Sequence, residues 1–221
     1  MRISPSGHYL SDRHPVNMQI RPAKPEDVQA AVPLIYSSGP PTFDYVFAHK
    51  SKGSACDFLA MAFLDGRGEF GFQHHVVVEK NGRVLAIGTA FSGQEMPGFT
   101  VNNARQIIKY YGLIAGFKIM RQGLQVEKVV QPPKGKLHYI AHLGVVPELR
   151  SQGIGTHLIE WLMEEGRQKG RTVTGLDVSV DNPQAQALYE RLGFVVKEER
   201  ISTLKNEHSA VANHRYLERP L

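Results

Sequence analysis

Residues 143 to 156 read Leu143-Gly144-Val145-Val146-Pro147-Glu148-Leu149-Arg150-Ser151-Gln152-Gly153-Ile154-Gly155-Thr156. The apolar start is strand-like, Pro147 opens a turn, and Gly153 and Gly155 mark the beginning of a helix. The first N–H groups of a helix lack internal partners, and the helix dipole adds positive potential there. Glycine lets a ligand approach the backbone closely, so the stretch reads as a phosphate or pyrophosphate cradle. Two nucleotide motifs compete for it. Gly153-Ile154-Gly155 supplies two glycines of G-x-G-x-x-G, but Leu158 stands where the third belongs. Asp177 lies near the spacing of a ribose-binding acid, yet mid-strand, with too little chain after it to finish a doubly wound sheet. A P-loop needs Lys-Ser/Thr after its glycine, and none is present.

A third pattern fits in full. Arg150-Ser151-Gln152-Gly153-Ile154-Gly155 matches R/Q-x-x-G-x-G/A. Downstream, Asp181-Asn182-Pro183-Gln184-Ala185-Gln186-Ala187-Leu188-Tyr189-Glu190-Arg191-Leu192-Gly193-Phe194 matches N-x-x-A-x-x-L-Y-x-x-x-G-F. On these residues, in this order and separation, the chain resembles the GNAT superfamily of acyl-CoA N-acyltransferases. The resemblance runs from about Leu137 to Glu218, and Ile20-Arg21-Pro22-Ala23 before Pro25-Glu26-Asp27 is similar to the usual start. Residues 96 to 135 depart from the family, which commonly has a short turn there.

The resemblance implies acetyl-CoA as co-substrate and no metal. Leu143, Gly144 and Val145 would offer main-chain groups to the pantetheine arm, and the Leu143 N–H would meet the oxyanion. Ser151, Gln152, Gly153, Ile154, Gly155 and Thr156 would wrap the pyrophosphate. Arg150 would add its cation or only order the loop, and Asn182 would bond the cofactor arm or cap a helix. Tyr189 resembles the general acid that protonates the departing thiolate; its alternative is an aromatic core residue. The base stays open between Asp177, His142 and water. His74-His75, His208 and His214 lack metal-ligand spacing and read as surface or strand residues.

Outward from these motifs, 221 residues with 42% apolar content suit one domain with a real core. No run reaches the length of a membrane span, and no apolar signal core is readable at the start. Residues 1–17 read as a flexible extension, with Met18 as an alternative start. The single cysteine, Cys56, cannot pair internally, so a reducing, cytoplasmic setting is expected. Cys56 itself reads as a small packed residue ahead of a nucleophile.

Strands are expected at 19–23, 75–79, 84–90, 136–146, 172–180, 194–202 and 212–218, with Asn81-Gly82 turning a hairpin. Helices are expected over Val28, Ala31, Val32 and Ile35, and at 55–64, 153–169 and 184–192. Residues 101–126 carry a broad helical apolar face that Gly112 and Gly116 interrupt. The expected class is α/β: a GNAT-like mixed, mostly antiparallel central sheet with helices on both faces. One domain, 18–221, would hold a helical insertion at about 97–135 before the cofactor-binding strand.

In that insertion Arg105, Lys109, Lys118, Arg121, Lys128 and Lys134 stand against Glu127, a surplus equal to the chain's whole +5. A solvated helix face is the plain reading, and a nucleic-acid or anionic surface the sharper one. The basic edge does not suit a polyamine acceptor. Two roles are open for the insertion, a lid over the acceptor site and a dimer surface. The acceptor pocket is expected from residues 36–64, where Asp44 could attract a cationic amine. The function expected is N-acetyl transfer from acetyl-CoA to a primary amine, on a small molecule or a protein, by direct attack in a ternary complex. The alternative is a catalytically silent acyl-CoA-binding regulatory module. A homodimer is possible; neither membrane nor nucleic acid is an expected partner.

Overall fold

The computed structural model describes residues 18–221; the extension read from residues 1–17 lies outside them. Among the described residues there are seven α-helices and seven strands. In chain order they are β1 (Gln19–Pro22), α1 (Val28–Ser37), α2 (Pro40–Phe47), α3 (Ala55–Asp65), β2 (His75–Lys80) and β3 (Arg83–Phe91). Then come α4 (Met96–Tyr111), α5 (Leu113–Val126), β4 (His138–Val145), α6 (Ile154–Gln168), β5 (Val173–Ser179), α7 (Pro183–Arg191), β6 (Val195–Arg200) and β7 (His214–Pro220). The strands form one sheet in the order β1-β2-β3-β4-β5-β7-β6. Every neighbouring pair is antiparallel except β4 and β5. That parallel step needs a crossover, and α6 makes it. The mixed, mostly antiparallel sheet is the one expected.

Both faces of the sheet are covered, so β3 is apolar at successive positions from Val84 to Ile87 rather than alternating. On one face, Ile35, Phe58, Leu59 and Phe63 of α1 and α3 bury against Val77 and Ile87. On the other, Leu158 and Leu162 of α6 pack with Val78, Leu85 and Ile140. A capping box starts α3: Asp57 N–H donates to Ser54 Oγ at 3.3 Å, and Ser54 N–H donates to the Asp57 carboxylate at 2.8 Å. Helix α1 lies tightly against β4. A Cβ on Gly144 would lie 2.2 Å from the Leu34 carbonyl oxygen, so only glycine lets the helix seat there.

Two elements differ from expectation. Helix α1 ends at Ser37, and Pro40 sits at the first position of a further helix, α2, that the periodicity did not mark. Proline's fixed φ and missing N–H suit that position as well as they suit a stop. The insertion begins at Met96 and is two helices, α4 and α5, parted at Gly112. They pack on each other, with α4 against α3 and α5 against α2. Arg200 Nη1 donates to the Val129 carbonyl at 3.4 Å and fixes the exit of the insertion to β6. Among the described residues no helix is long and apolar enough to cross a membrane.

Candidate active site

Strands β4 and β5 pair at only two positions, His138 with Thr174 and Tyr139 with Gly175. Beyond these they part. The β3–β4 register shifts between Ile87 and Thr89, opposite His142, whose φ of +54° is left-handed. Such a bulge bends its strand away from its line. A cavity of about 870 Å³ fills the opening, with residues 140–145 on one wall and 176–179 on the other. The β4 backbone along that wall therefore has peptide groups without a strand partner, ready for an extended ligand.

The cradle lies at the end of this seam. Ser151 and Gly153 both adopt positive φ, +61° and +85°, and α6 starts at Ile154. A Cβ on Gly153 would meet nothing within 4 Å, so the backbone conformation, not crowding, favours glycine there. All the residues expected to hold the cofactor line the cavity except Gln152 and Ile154. Ile154 is buried in the core beneath α6, and the Gln152 amide donates to the Glu148 carbonyl at 3.2 Å. Those two offer only main chain. Arg150 Nε donates to the Val145 carbonyl at 3.2 Å, which orders the loop, and Asn182 Oδ1 accepts from the Ala185 N–H at 3.1 Å as the cap of α7.

Tyr189, on α7, lines the cavity while being 9% exposed. Burial raises its phenol to about 12, so it carries its proton at neutral pH. Among the described residues nothing hydrogen-bonds its hydroxyl, which leaves that proton available to a ligand.

The three base candidates separate. Asp177 Oδ2 accepts from the Tyr139 hydroxyl at 2.8 Å, and Oδ1 accepts from Arg200 Nη1 at 3.0 Å. Burial raises its carboxyl to about 6 despite those two partners. Taking a proton there would break the buried half of the Arg200 ion pairing and leave that cation to the half-exposed Glu198, at 2.8 Å.

His142 stands in a relay that the sequence reading did not contain. His75, read as a surface or strand residue, is 1% exposed. Its Nδ1 lies 3.0 Å from the Gly71 carbonyl, which can only accept, so Nδ1 holds the hydrogen. Burial, reinforced by His142, lowers His75 to about 3, so the ring is neutral and its Nε2 is an acceptor. His142 Nδ1, 3.1 Å away, must therefore donate to it. That leaves Nε2 as the His142 nitrogen not committed to His75, 3.5 Å from Glu69 Oε1. Phe70 stacks on the His142 ring with centroids 5.1 Å apart.

Other expectations move. Asp44 is not on the cavity wall; it lies on α2 and accepts from the Tyr36 hydroxyl at 2.9 Å. His138 is buried and bonds the Leu162 carbonyl at 2.8 Å. Burial, then Asp44 and Asp57, raise the Cys56 thiol, which keeps it protonated. The acids that do line the cavity besides Asp177 are Glu69 and Glu127. The lone acid of the insertion was the available signal for Glu127; nothing in the local pattern marked Glu69.

Comparison with known proteins agrees with this geometry. The acetyltransferase (GNAT) family model matches residues 41–194. N-alpha-acetyltransferase 30 of Schizosaccharomyces pombe is 43% identical over 56 residues, 25% of this chain and 37% of that protein. The 5-NmdU N-acetyltransferase of Pseudomonas phage PaMx11 is 34% identical over 95 residues, 43% of this chain and 59% of that protein. The chain thus spans less than two thirds of either relative's length. The crystal structure of an N-acetyltransferase from Staphylococcus aureus Mu50 matches at a TM-score of 0.62 and 20% identity, over 91% of this chain and all of that one. That last likeness is one of fold.

Proposed function

The chain belongs to the acetyltransferase (GNAT) family, and from that premise we propose that it moves an acetyl group from acetyl-CoA to a primary amine within a ternary complex. The observation that carries the reading is the seam between β4 and β5, which leads from a helix N-terminus to the hydroxyl of Tyr189, without a hydrogen-bond partner among the described residues. The residues present fit the co-substrate. The unpaired edge of β4 at Leu143, Gly144 and Val145 suits an extended amide-bearing arm. The turn from Ser151 to Thr156 at the start of α6 suits a pyrophosphate, with Arg150 of the same loop and Arg191 at the end of α7 the arginines on the cavity wall.

Acetyl-CoA supplies the activated thioester, and a C–N bond forms as the C–S bond breaks. His142 Nε2 takes the proton of the attacking amine, because its other nitrogen is committed to His75. The Leu143 N–H faces the charge that develops on the carbonyl oxygen. Tyr189 gives its proton to the departing sulfur, which balances the proton gained by His142. Asp177 is held back by Arg200 and Tyr139 and serves to fix β5 beside the seam.

The test is release of free thiol from acetyl-CoA with a panel of primary amines. Tyr189→Phe should keep CoA binding and lower kcat by roughly 10²-fold or more. Equal turnover would remove the acid role. Binding without turnover on any amine would favour the silent acyl-CoA-binding module, and neither binding nor turnover would remove the proposal.

A further inference from the structure

We infer that the acceptor is a small linear amine carrying a second cationic group, and that Glu127 receives that second charge while Glu69 stands beside the reacting amine. The inference rests on the acetyl-transfer reading and names the substrate class of the same cavity.

The cavity is divided by charge. Its arginines, Arg150 and Arg191, belong to the cradle loop and α7, the end assigned to the cofactor. Its acids are Asp177, Glu69 and Glu127. Asp177 is neutralised by Arg200. The other two have no Lys or Arg partner among the described residues. Glu69 touches only Asn103 Nδ2 at 3.4 Å, beyond its approach to His142. Partial burial, then the negative charge of Glu69, raise the Glu127 carboxyl. Two carboxylates that repel each other, one of them beside a base, form a site that a cation would relieve.

The walls between are apolar and aromatic. Phe43, Phe70 and Ile107 line the space next to His142, and the Phe43 and Phe70 rings lie 6.2 and 5.1 Å from its imidazole. Such walls accept methylenes, and ring faces also attract cations. The reacting amine would stand between His142 Nε2 and Glu69, its carbon chain along the phenylalanines, and its far cation at Glu127.

The basic insertion does not oppose this arrangement. Arg105, Lys109, Lys118, Arg121, Lys128 and Lys134 are exposed, and none of them lines the cavity. The one acid among them, Glu127, does. The six cations face solvent away from the cavity, while Glu127, at the end of α5, reaches solvent and also lines the cavity.

The test compares diaminobutane, with an amine at each end, against butylamine, which has the same chain and one charge fewer. The diamine should show a kcat/KM about 10- to 100-fold higher, carried by KM. Glu127→Gln should remove most of that advantage, lowering kcat/KM for the diamine about 10-fold or more beyond any loss on butylamine. Equal kcat/KM for the two amines in the wild type would overturn the inference. So would equal losses on both substrates in Glu127→Gln. Thiol release with a peptide N-terminus but with neither amine would overturn it too, while leaving acetyl transfer intact. No release with any amine would take down both.

Discussion

His75 sets the protonation of a residue it does not share a strand with. Its folded value of about 3 lies below the ordinary 6.5. Between those values the unfolded chain binds more protons than the folded one, so stability falls as pH drops through that window. The effect amounts to about 3 kcal/mol between pH 7 and pH 4. Asp177, raised from 3.8 to about 6, acts with the opposite sign, losing stability as pH rises through that range. A wild type compared with His75→Gln cancels the Asp177 contribution. Urea titrations across this range should show the wild type losing more stability than the variant; parallel losses would refute the neutral, Nδ1–H form of His75. The same variant should slow acetyl transfer by loosening His142. None of this was visible along the chain. Gly153, Asn182 and Tyr189 could be found because each belongs to a motif of fixed spacing. Glu69, His75 and His142 meet through a strand pairing and a bulge, and no local pattern encodes that meeting.

Helix α1 and strand β4 touch through Gly144. The motif reading assigned Gly144 to the cofactor, which its place on the cavity wall permits. Its lack of a side chain has a second cause in the 2.2 Å approach of Leu34. Gly144→Ala should therefore destabilise the fold by about 3 kcal/mol, through overpacking against backbone that cannot move aside. Chemical denaturation measures this, and a loss under about 0.5 kcal/mol would mean that α1 yields freely. Periodicity placed most elements well, since amphipathic patterns report the face each buries. It failed at α2, where Pro40 and Pro41 punctuate a stop and a start with the same residues. It also merged α4 with α5, because their apolar stripes continue across Gly112.

Across the whole molecule, the cofactor reading predicts a closing of the seam. A ligand that spans β4, the α6 cradle and α7 binds only the folded chain. At a hundredfold excess over Kd it adds about 2.7 kcal/mol, equivalent to a rise in Tm of roughly 5–10 °C. Acetyl-CoA should produce that shift in the wild type. In Gly153→Asp, whose new carboxylate has room but stands at the pyrophosphate, the shift should vanish. An undiminished shift in the variant would place the cofactor elsewhere. The overall charge was legible as a number but its placement was not, because sequence does not say which side of a helix pair faces inward.

The parting of β4 from β5 also divides the molecule by lineage. Glu69, Phe70, Glu127 and His142, the groups assigned to the amine, are all encoded before the crossover helix α6, and Asn182 and Tyr189 after it. A recombination event inside α6 would join one parent's choice of amine to another's handling of the departing thiol. The hydrogen-bonded seam to be rebuilt across that joint comprises two residue pairs.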